Sequence, residues 1–202
     1  MVFSGALHGE PKTEYQGDSD EVNARWEDLY NRMNSPNFPI LYYERTITDA
    51  LAIEIGISQI PASSAAHLPN ATTPTAHDPS LYMVELDVFH QLHCLNLLRK
   101  LVYPKTFPLD LTSDSDEVGD NVYHLEHCYE QLRQSIQCAS DTATIYWEWS
   151  EEKQKMFGNL RTTHTCKDFG KIREWAAENM LKEEFDWFKR PEGAPLRQSG
   201  FS

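Results

Sequence analysis

The chain has 202 residues, of which 40% are hydrophobic and 11% aromatic, so it is long enough to bury a core as one domain. Its 31 acidic residues outnumber the 18 basic ones, which gives a formal net charge of −13. This charge disfavours binding to nucleic acids and to anionic membrane surfaces, because both attract clusters of lysine and arginine. There is no apolar run of about 18 residues, so we expect no membrane span, and residues 1–10 lack a signal-peptide pattern.

The predicted fold class is mainly α: a compact helical domain with a long irregular N-terminal segment and few or no short strands. Residues 1–20 are polar and are predicted to form a flexible N-terminal arm, residues 21–190 a single domain, and residues 191–202 a disordered tail.

The first half of the chain has one clear helical pattern. Residues 22–33 have apolar positions at helical spacing, and Pro36 follows them. Residues 42–60 contain short apolar runs that fit a helix and a strand equally well. Residues 61–79 are rich in proline, alanine, serine and threonine, which indicates an extended connector over the surface.

The second half begins with a helix predicted over about residues 81–103, which ends at Pro104. Apolar residues cover most of its sides and leave only a narrow polar strip of Asp87, Asn96 and Lys100. A helix that is apolar on most sides lies at the centre of a fold. We therefore expect its histidines to point inward.

The remaining predicted elements follow an acidic loop at residues 112–120. A helix over about residues 121–139 has a polar outer stripe, so we expect it to lie at the periphery, against the central helix. Residues 145–149 are dense in aromatic side chains, which we expect in the core, and an amphipathic helix spans about residues 168–189.

The central and peripheral helices each carry the short motif His-x-x-His-Cys. The first copy is His90, His93 and Cys94, and the second is His124, His127 and Cys128. Residues at i and i+3 lie about one turn apart on one helix face, so two imidazoles there can share a metal ion. Two such helices packed face to face would bring four imidazoles together at one metal site.

The donor set favours copper. Imidazole suits copper, zinc, iron and nickel, but no carboxylate converges with the histidines, since Glu126 points away from them. The zinc-protease pattern H-E-x-x-H and the haem pattern C-x-x-C-H are absent from the sequence. Of the other histidines, His164 stands alone by spacing, and the rest lie in predicted loops.

The four cysteines allow two interpretations. As thiolates, Cys94 and Cys128 could complete a structural zinc site. As disulfides, Cys128 and Cys138 cannot be partners, because ten residues of helix separate them by about 15 Å. Of the two pairings left, Cys94–Cys128 with Cys138–Cys166 is the simpler. The sequon Asn70-Ala71-Thr72 lies in a predicted exposed loop, and together with paired cysteines it favours a secretory lumen and glycosylation of Asn70.

The double motif resembles that of the fungal UstYa-like family, which is named for an oxidase of ustiloxin biosynthesis. The likeness extends over residues 81–176 and includes residues 89–96, 124–128 and 132–138, Asp141, residues 164–166 and Trp175.

The resemblance implies a copper-dependent oxidative enzyme of secondary metabolism, with residues 21–190 as its catalytic domain and molecular oxygen as co-substrate. By position, the copper ligands would be His90, His93, His124 and His127, with His164 as a further metal ligand. The substrate would be a peptide or another natural product, and the reaction an oxidative cyclisation, a hydroxylation or a halogenation. The alternative is a zinc-stabilised domain that only accompanies a biosynthetic oxidase.

The resemblance also implies a cellular location and an oligomeric state. Members of the family are normally anchored to a membrane by an N-terminal helix, which this chain lacks, and they face a secretory lumen. They often occur in pairs, so we expect a homodimer or a heterodimer with a related member.

Overall fold

The computed structural model describes residues 12–30, 57–112, 116–182 and 188–196. In chain order its elements are α1 (Asp20–Tyr30), β1 (Ser58–Pro61), α2 (Ala62–Ala65), β2 (Leu81–Val84), α3 (Asp87–Leu101), α4 (Asp116–Ala139), β3 (Tyr146–Ser150), β4 (Lys155–Asn159) and α5 (Phe169–Glu178). Helix is the more abundant regular structure in the described residues, which agrees with the predicted mainly α class. These residues also form two small antiparallel sheets, β1–β2 and β3–β4, which is more strand than the sequence suggested.

Two groups of buried side chains hold the helices together. The group that joins α1, α3 and α5 consists of Tyr30, Phe89 and Ala176. The group between α3 and α4 consists of Cys94, Leu97 and Cys128, with Leu132 packed against it. Because α3 contributes to both groups, it is the central helix, as its apolar sides predicted. None of the helices in the described residues is long and apolar enough to cross a membrane.

The central helix is shorter at its N-terminus than predicted. Residues Leu81–Val84 are not helical but form β2, which pairs with β1 from Ser58 opposite Val84 to Pro61 opposite Leu81. A four-residue apolar run fits a helix and a strand equally, and here pairing with a distant segment decides the outcome. The helix itself begins at Asp87 and ends with Arg99 and Lys100 in its last turn, a charge distribution that suits the helix dipole.

The peripheral helix is longer than predicted. It begins at Asp116 rather than near Asn121, so most of the expected acidic loop is its first turn. Gly119 had indicated a loop, but a glycine inside a helix costs only about 1 kcal/mol relative to alanine. Acidic residues are also favourable at a helix N-terminus, which offsets that cost.

The β3–β4 hairpin exposes its aromatic side chains. Its register places Trp147 opposite Gly158 and Trp149 opposite Met156, so both tryptophans lie on one face. They are 66% and 52% exposed, and the prediction that this stretch belongs to the core is therefore wrong. The physical reason is that, within the described residues, no other named element packs extensively along the hairpin.

Several predictions concern residues outside the described ranges. Of the ambiguous stretch at residues 42–60, the last three residues belong to β1, and residues 42–56 lie outside. The final helix, α5, ends at Glu178 rather than near residue 189, because Met180 pairs with Ser58 and Leu181 donates to the backbone oxygen of Ile57; residues 183–187 lie outside. Residues 12–20 of the predicted arm and 191–196 of the predicted tail are described, and Ala194 is buried.

Candidate metal centre

The two motifs meet across the interface between α3 and α4, which run antiparallel. The first histidine of each motif faces the second histidine of the other, so that His90 lies against His127 and His93 against His124. This is the pattern of a local twofold axis, because each contact maps onto the other when the motifs are exchanged. The i, i+3 spacing places both histidines of a motif on the interface side of its helix.

The first pair lies at the rim of the interface. The Nε2 atoms of His90 and His127 are 3.3 Å apart, and the ring centroids are 5.2 Å apart. His90 is half-buried and His127 is exposed. On the far side of His90, its Nδ1 lies 3.8 Å from Oδ1 of Asp87, and this oxygen accepts a hydrogen bond from Gln131 Nε2 at 2.9 Å. Asp87 on α3 therefore contacts both His90 and a side chain of α4.

The second pair lies deeper. The rings of His93 and His124 are stacked with centroids 6.0 Å apart, and His93 is only 7% exposed. Neither side chain makes a hydrogen bond to any described residue of the chain. His124 also lines a small apolar cleft with Leu97, Phe107 and Leu109. His93 is buried and His124 half-buried, and an imidazole withdrawn from water is costly unless a hydrogen bond or another ligand occupies its nitrogens.

The cysteines of the two motifs meet in the buried cluster between α3 and α4. Cys94 and Cys128 are fully buried, and a hydrogen bond joins their sulfur atoms. This bond, together with burial, raises the pKa of Cys94, and the same bond lowers the pKa of Cys128. Cys94 Sγ also lies 3.7 Å from Nε2 of His90. The thiol pair therefore sits beside the rim histidines.

Burial favours the neutral form of three of the four imidazoles. Burial lowers the pKa of His93 to about 4, with a further contribution from His124. Burial also lowers the pKa of His124 and that of His127. In contrast, the hydrogen bond to Cys94 raises the pKa of His90. Neutral imidazole is the form that binds metal ions, so the pocket favours the ligand state at three positions.

The nitrogen separation of the rim pair fits a shared metal ion. Two nitrogen ligands of a tetrahedral ion, each about 2.0 Å from it, are about 3.3 Å apart. The rim pair matches this separation, and His93 and His124 of the deep pair make no hydrogen bond to another described residue. Among the described residues, however, no group of three or more His, Cys, Asp or Glu side chains converges on one point. The structure thus presents two histidine pairs where the sequence suggested a single four-imidazole site.

The structure does not bring His164 to these pairs. Its Nδ1 lies 2.6 Å from Oδ2 of Asp141, and its Nε2 lies 2.8 Å from Oγ1 of Thr162. Asp141 follows the C-terminus of α4, and the rise of a helix places that end roughly 18 Å from His127. His164 therefore joins the β4–α5 segment to the end of α4.

The remaining predicted site residues lie apart from the histidines. Cys138 and Cys166 are exposed, and all four cysteines are free thiols in the structure, so the disulfide pairing stays a prediction. The contact between Asp141 and His164 brings together the segments that carry Cys138 and Cys166. Asn70 is exposed in the loop after α2.

Two residues next to the site were missed by the sequence analysis. Tyr30 lies within the helix predicted over residues 22–33, and Asn96 was assigned only to a polar strip. Both are buried, and the Tyr30 ring packs against His93. A usable signal existed: Asn23, Glu27 and Tyr30 form a polar stripe on α1 at helical spacing, which complements the strip on α3.

Comparison with known proteins agrees with this motif. A family model described as "Mycotoxin biosynthesis protein UstYa" matches residues 3–179. The chain belongs to the UstYa family. The resemblance drawn from the double motif is thereby confirmed.

Similar UstYa family members come from fungi. The chain is 36% identical to the UstYa family oxidase aprY of Aspergillus flavus over 118 residues, which is 56% of this chain and 35% of aprY. It is 37% identical to the oxidase ustYa of the same species over 100 residues, 50% of this chain and 43% of that protein. It is also 37% identical to the UstYa family oxidase VicYc of Bipolaris victoriae over 94 residues, 45% of this chain and 84% of VicYc. The match thus spans less than half of aprY and of ustYa, and no solved structure matches the chain.

Proposed function

We propose that the protein is a copper-dependent oxidative enzyme of fungal secondary metabolism, with molecular oxygen as co-substrate. The observation that carries the proposal is the pairing of histidines across α3 and α4, with the Nε2 atoms of His90 and His127 3.3 Å apart. The relatives aprY, ustYa and VicYc are named oxidases, which supports an oxidative reaction. Imidazole donors without a carboxylate favour copper over iron.

In this proposal His90, His93, His124 and His127 hold the copper. When bound, copper supplies one-electron redox chemistry with molecular oxygen. The rim pair is the more accessible one, so in this proposal it faces the substrate. The deep pair is less accessible to water. Asp87 orients the ring of His90 from its Nδ1 side, as carboxylates next to metal-binding histidines commonly do.

The substrate in this proposal is a peptide or another small natural product. Its reaction would be an oxidative cyclisation, a hydroxylation or a halogenation.

Metal analysis of histidine variants tests the proposal. The purified protein should bind copper, and His93→Ala or His127→Ala should abolish both copper binding and turnover while the protein stays folded. His67→Ala is the matched control, because His67 is exposed and, within the described residues, its ring is hydrogen-bonded to the backbone oxygen of Ser63. Retention of wild-type copper binding in both His93→Ala and His127→Ala would refute the assignment.

A zinc-stabilised, non-catalytic or accessory domain is the second candidate. The observation that favours it is the buried pair of thiols, of which Cys94 lies 3.7 Å from His90 Nε2. Thiolates and imidazoles together form structural zinc sites. This candidate predicts stoichiometric zinc, free thiols, unfolding by a chelator, and no turnover. Elemental analysis combined with thiol titration separates it from the copper enzyme.

We further propose that the protein works in a secretory-pathway lumen, with disulfides Cys94–Cys128 and Cys138–Cys166 and a glycan on Asn70. The buried contact between Cys94 and Cys128 and the exposure of Asn70 support these assignments. Mass spectrometry of the secreted protein before and after deglycosylation and reduction tests them. A homodimer or a heterodimer with a related family member stays a prediction for size-exclusion measurements.

A further inference from the structure

A buried asparagine connects the histidine-bearing helix α3 to α1. Asn96 is 1% exposed, and its Nδ2 donates hydrogen bonds to the Tyr30 hydroxyl oxygen at 2.7 Å and to Glu27 Oε1 at 3.0 Å. Its Oδ1 accepts a hydrogen bond from Arg99 Nε at 2.8 Å. Both polar ends of the amide are therefore paired, and its loss would remove a hydrogen bond to the buried Tyr30 hydroxyl and the acceptor of Arg99 Nε.

Arg99 holds the other end of this network. Its Nη1 donates to the backbone oxygen of Gly17 at 2.7 Å, and its Nη2 donates to Asn23 Oδ1 at 2.8 Å. The guanidinium thus ties α3 to the start of α1, while Asn96 ties it to the end. The planar fork of arginine gives such contacts a defined geometry.

The Tyr30 end of the network touches a candidate metal ligand. The Tyr30 ring is 4% exposed and lies edge-on to the His93 ring, with centroids 5.5 Å apart and an interplanar angle of 86°. His93 makes no hydrogen bond to any described residue, so two ring contacts, with Tyr30 and with His124, orient its imidazole. Edge-to-face contacts of this kind are directional.

We propose that Tyr30 is a positioning residue of the metal centre, held in place by Asn96 and Arg99, and that it orients His93 for metal binding. The inference rests on the proposed copper site. It adds α1 to α3 and α4 as a helix that contributes to this site. An imidazole that turns freely loses part of its binding energy in being ordered, whereas a preoriented one does not.

Copper titration of the whole chain tests this proposal. Tyr30→Leu and Asn96→Leu should each weaken copper binding about 10-fold to 100-fold, the range typical for residues that orient a ligand. They should also change the hyperfine pattern of bound copper(II) in electron paramagnetic resonance, because the geometry at His93 changes. Tyr30→Phe keeps the ring and should recover part of the affinity that Tyr30→Leu loses.

The control variant is Arg173→Leu, which loosens α1 at a different contact. Arg173 Nη2 donates to the backbone oxygen and to Oδ2 of Asp28, so its loss weakens the docking of α1 without touching the network. Arg173→Leu should leave the copper affinity and the spectrum unchanged. Equal losses in Arg173→Leu and Tyr30→Leu, or no change in Tyr30→Leu, would overturn the inference.

The histidine variants separate this inference from the proposed function. If His93→Ala abolishes copper binding but Tyr30→Leu leaves both affinity and spectrum unchanged, the inference alone is wrong. If neither His93→Ala nor His127→Ala affects copper binding, the proposed copper site and the inference fail together.

Discussion

Acid should destabilise the metal-free protein through His93. Burial and the neighbouring His124 lower the pKa of His93 from 6.5 to about 4 in the folded state, while the unfolded state keeps the ordinary value. The unfolded state therefore binds the proton more readily, and stability falls as the pH drops from about 6.5 to 4. Glu27 opposes this shift, and His90 and Lys100 reinforce it.

The size of the effect follows from these two pKa values. Linkage gives a loss of about 2 kcal/mol in the free energy of unfolding between pH 7 and pH 5, and about 3 kcal/mol at full protonation. A domain of this size is stable by only about 5–15 kcal/mol, so the loss is measurable. The lowered pKa values of His124 and His127 act in the same direction, and the raised value of His90 acts against them.

Urea unfolding with a chelator present, at pH 7, 6 and 5 and constant ionic strength, measures this dependence. His93→Gln removes the titrating group and serves as the comparison. The wild type should lose about 2 kcal/mol more than His93→Gln between pH 7 and pH 5. If both proteins lose the same amount, His93 is not buried in its neutral form and the reasoning is refuted.

Three further predictions concern the core, the exposed hairpin and the role of His164. Phe89→Ala should lower the free energy of unfolding by about 3–5 kcal/mol, because Phe89 is 4% exposed and packs with Ala176. A loss below about 1 kcal/mol in urea unfolding would show that Phe89 is not a core residue. Trp147→Ser should change stability by no more than about 0.5 kcal/mol, since Trp147 is 66% exposed, and a large loss of thermal stability would show that the hairpin is covered. His164→Ala should leave copper affinity unchanged, because Asp141 holds His164 at the far end of α4; weaker copper binding would restore it as a ligand.

Local geometry made the histidine motifs predictable. The i, i+3 spacing places His90 with His93 on one helix face and His124 with His127 on another, whatever the rest of the chain does. The apolar sides of the first motif helix likewise indicated its central position, which the structure confirms. These properties depend on residues less than two turns apart.

Elements that depend on distant partners were harder to predict. Residues Leu81–Val84 are a strand only because β1 lies beside them, and a four-residue run carries no period that shows this. Asn96 looked like part of a polar strip, but Tyr30 and Glu27 on α1 bury it. Trp147 looked like a core residue, yet its strand lies in a hairpin with an exposed face.

The same distinction between local geometry and distant contacts applies to the candidate site. The sequence alone determined which imidazoles share a helix face and that two such faces exist, because helix geometry is local. Only the tertiary structure decided that His90 meets His127 and His93 meets His124, since the antiparallel packing of α3 and α4 sets which rings come together. The tertiary structure also placed Tyr30 of α1 beside His93 and His164 beside Asp141, because these contacts join segments that no sequence spacing relates.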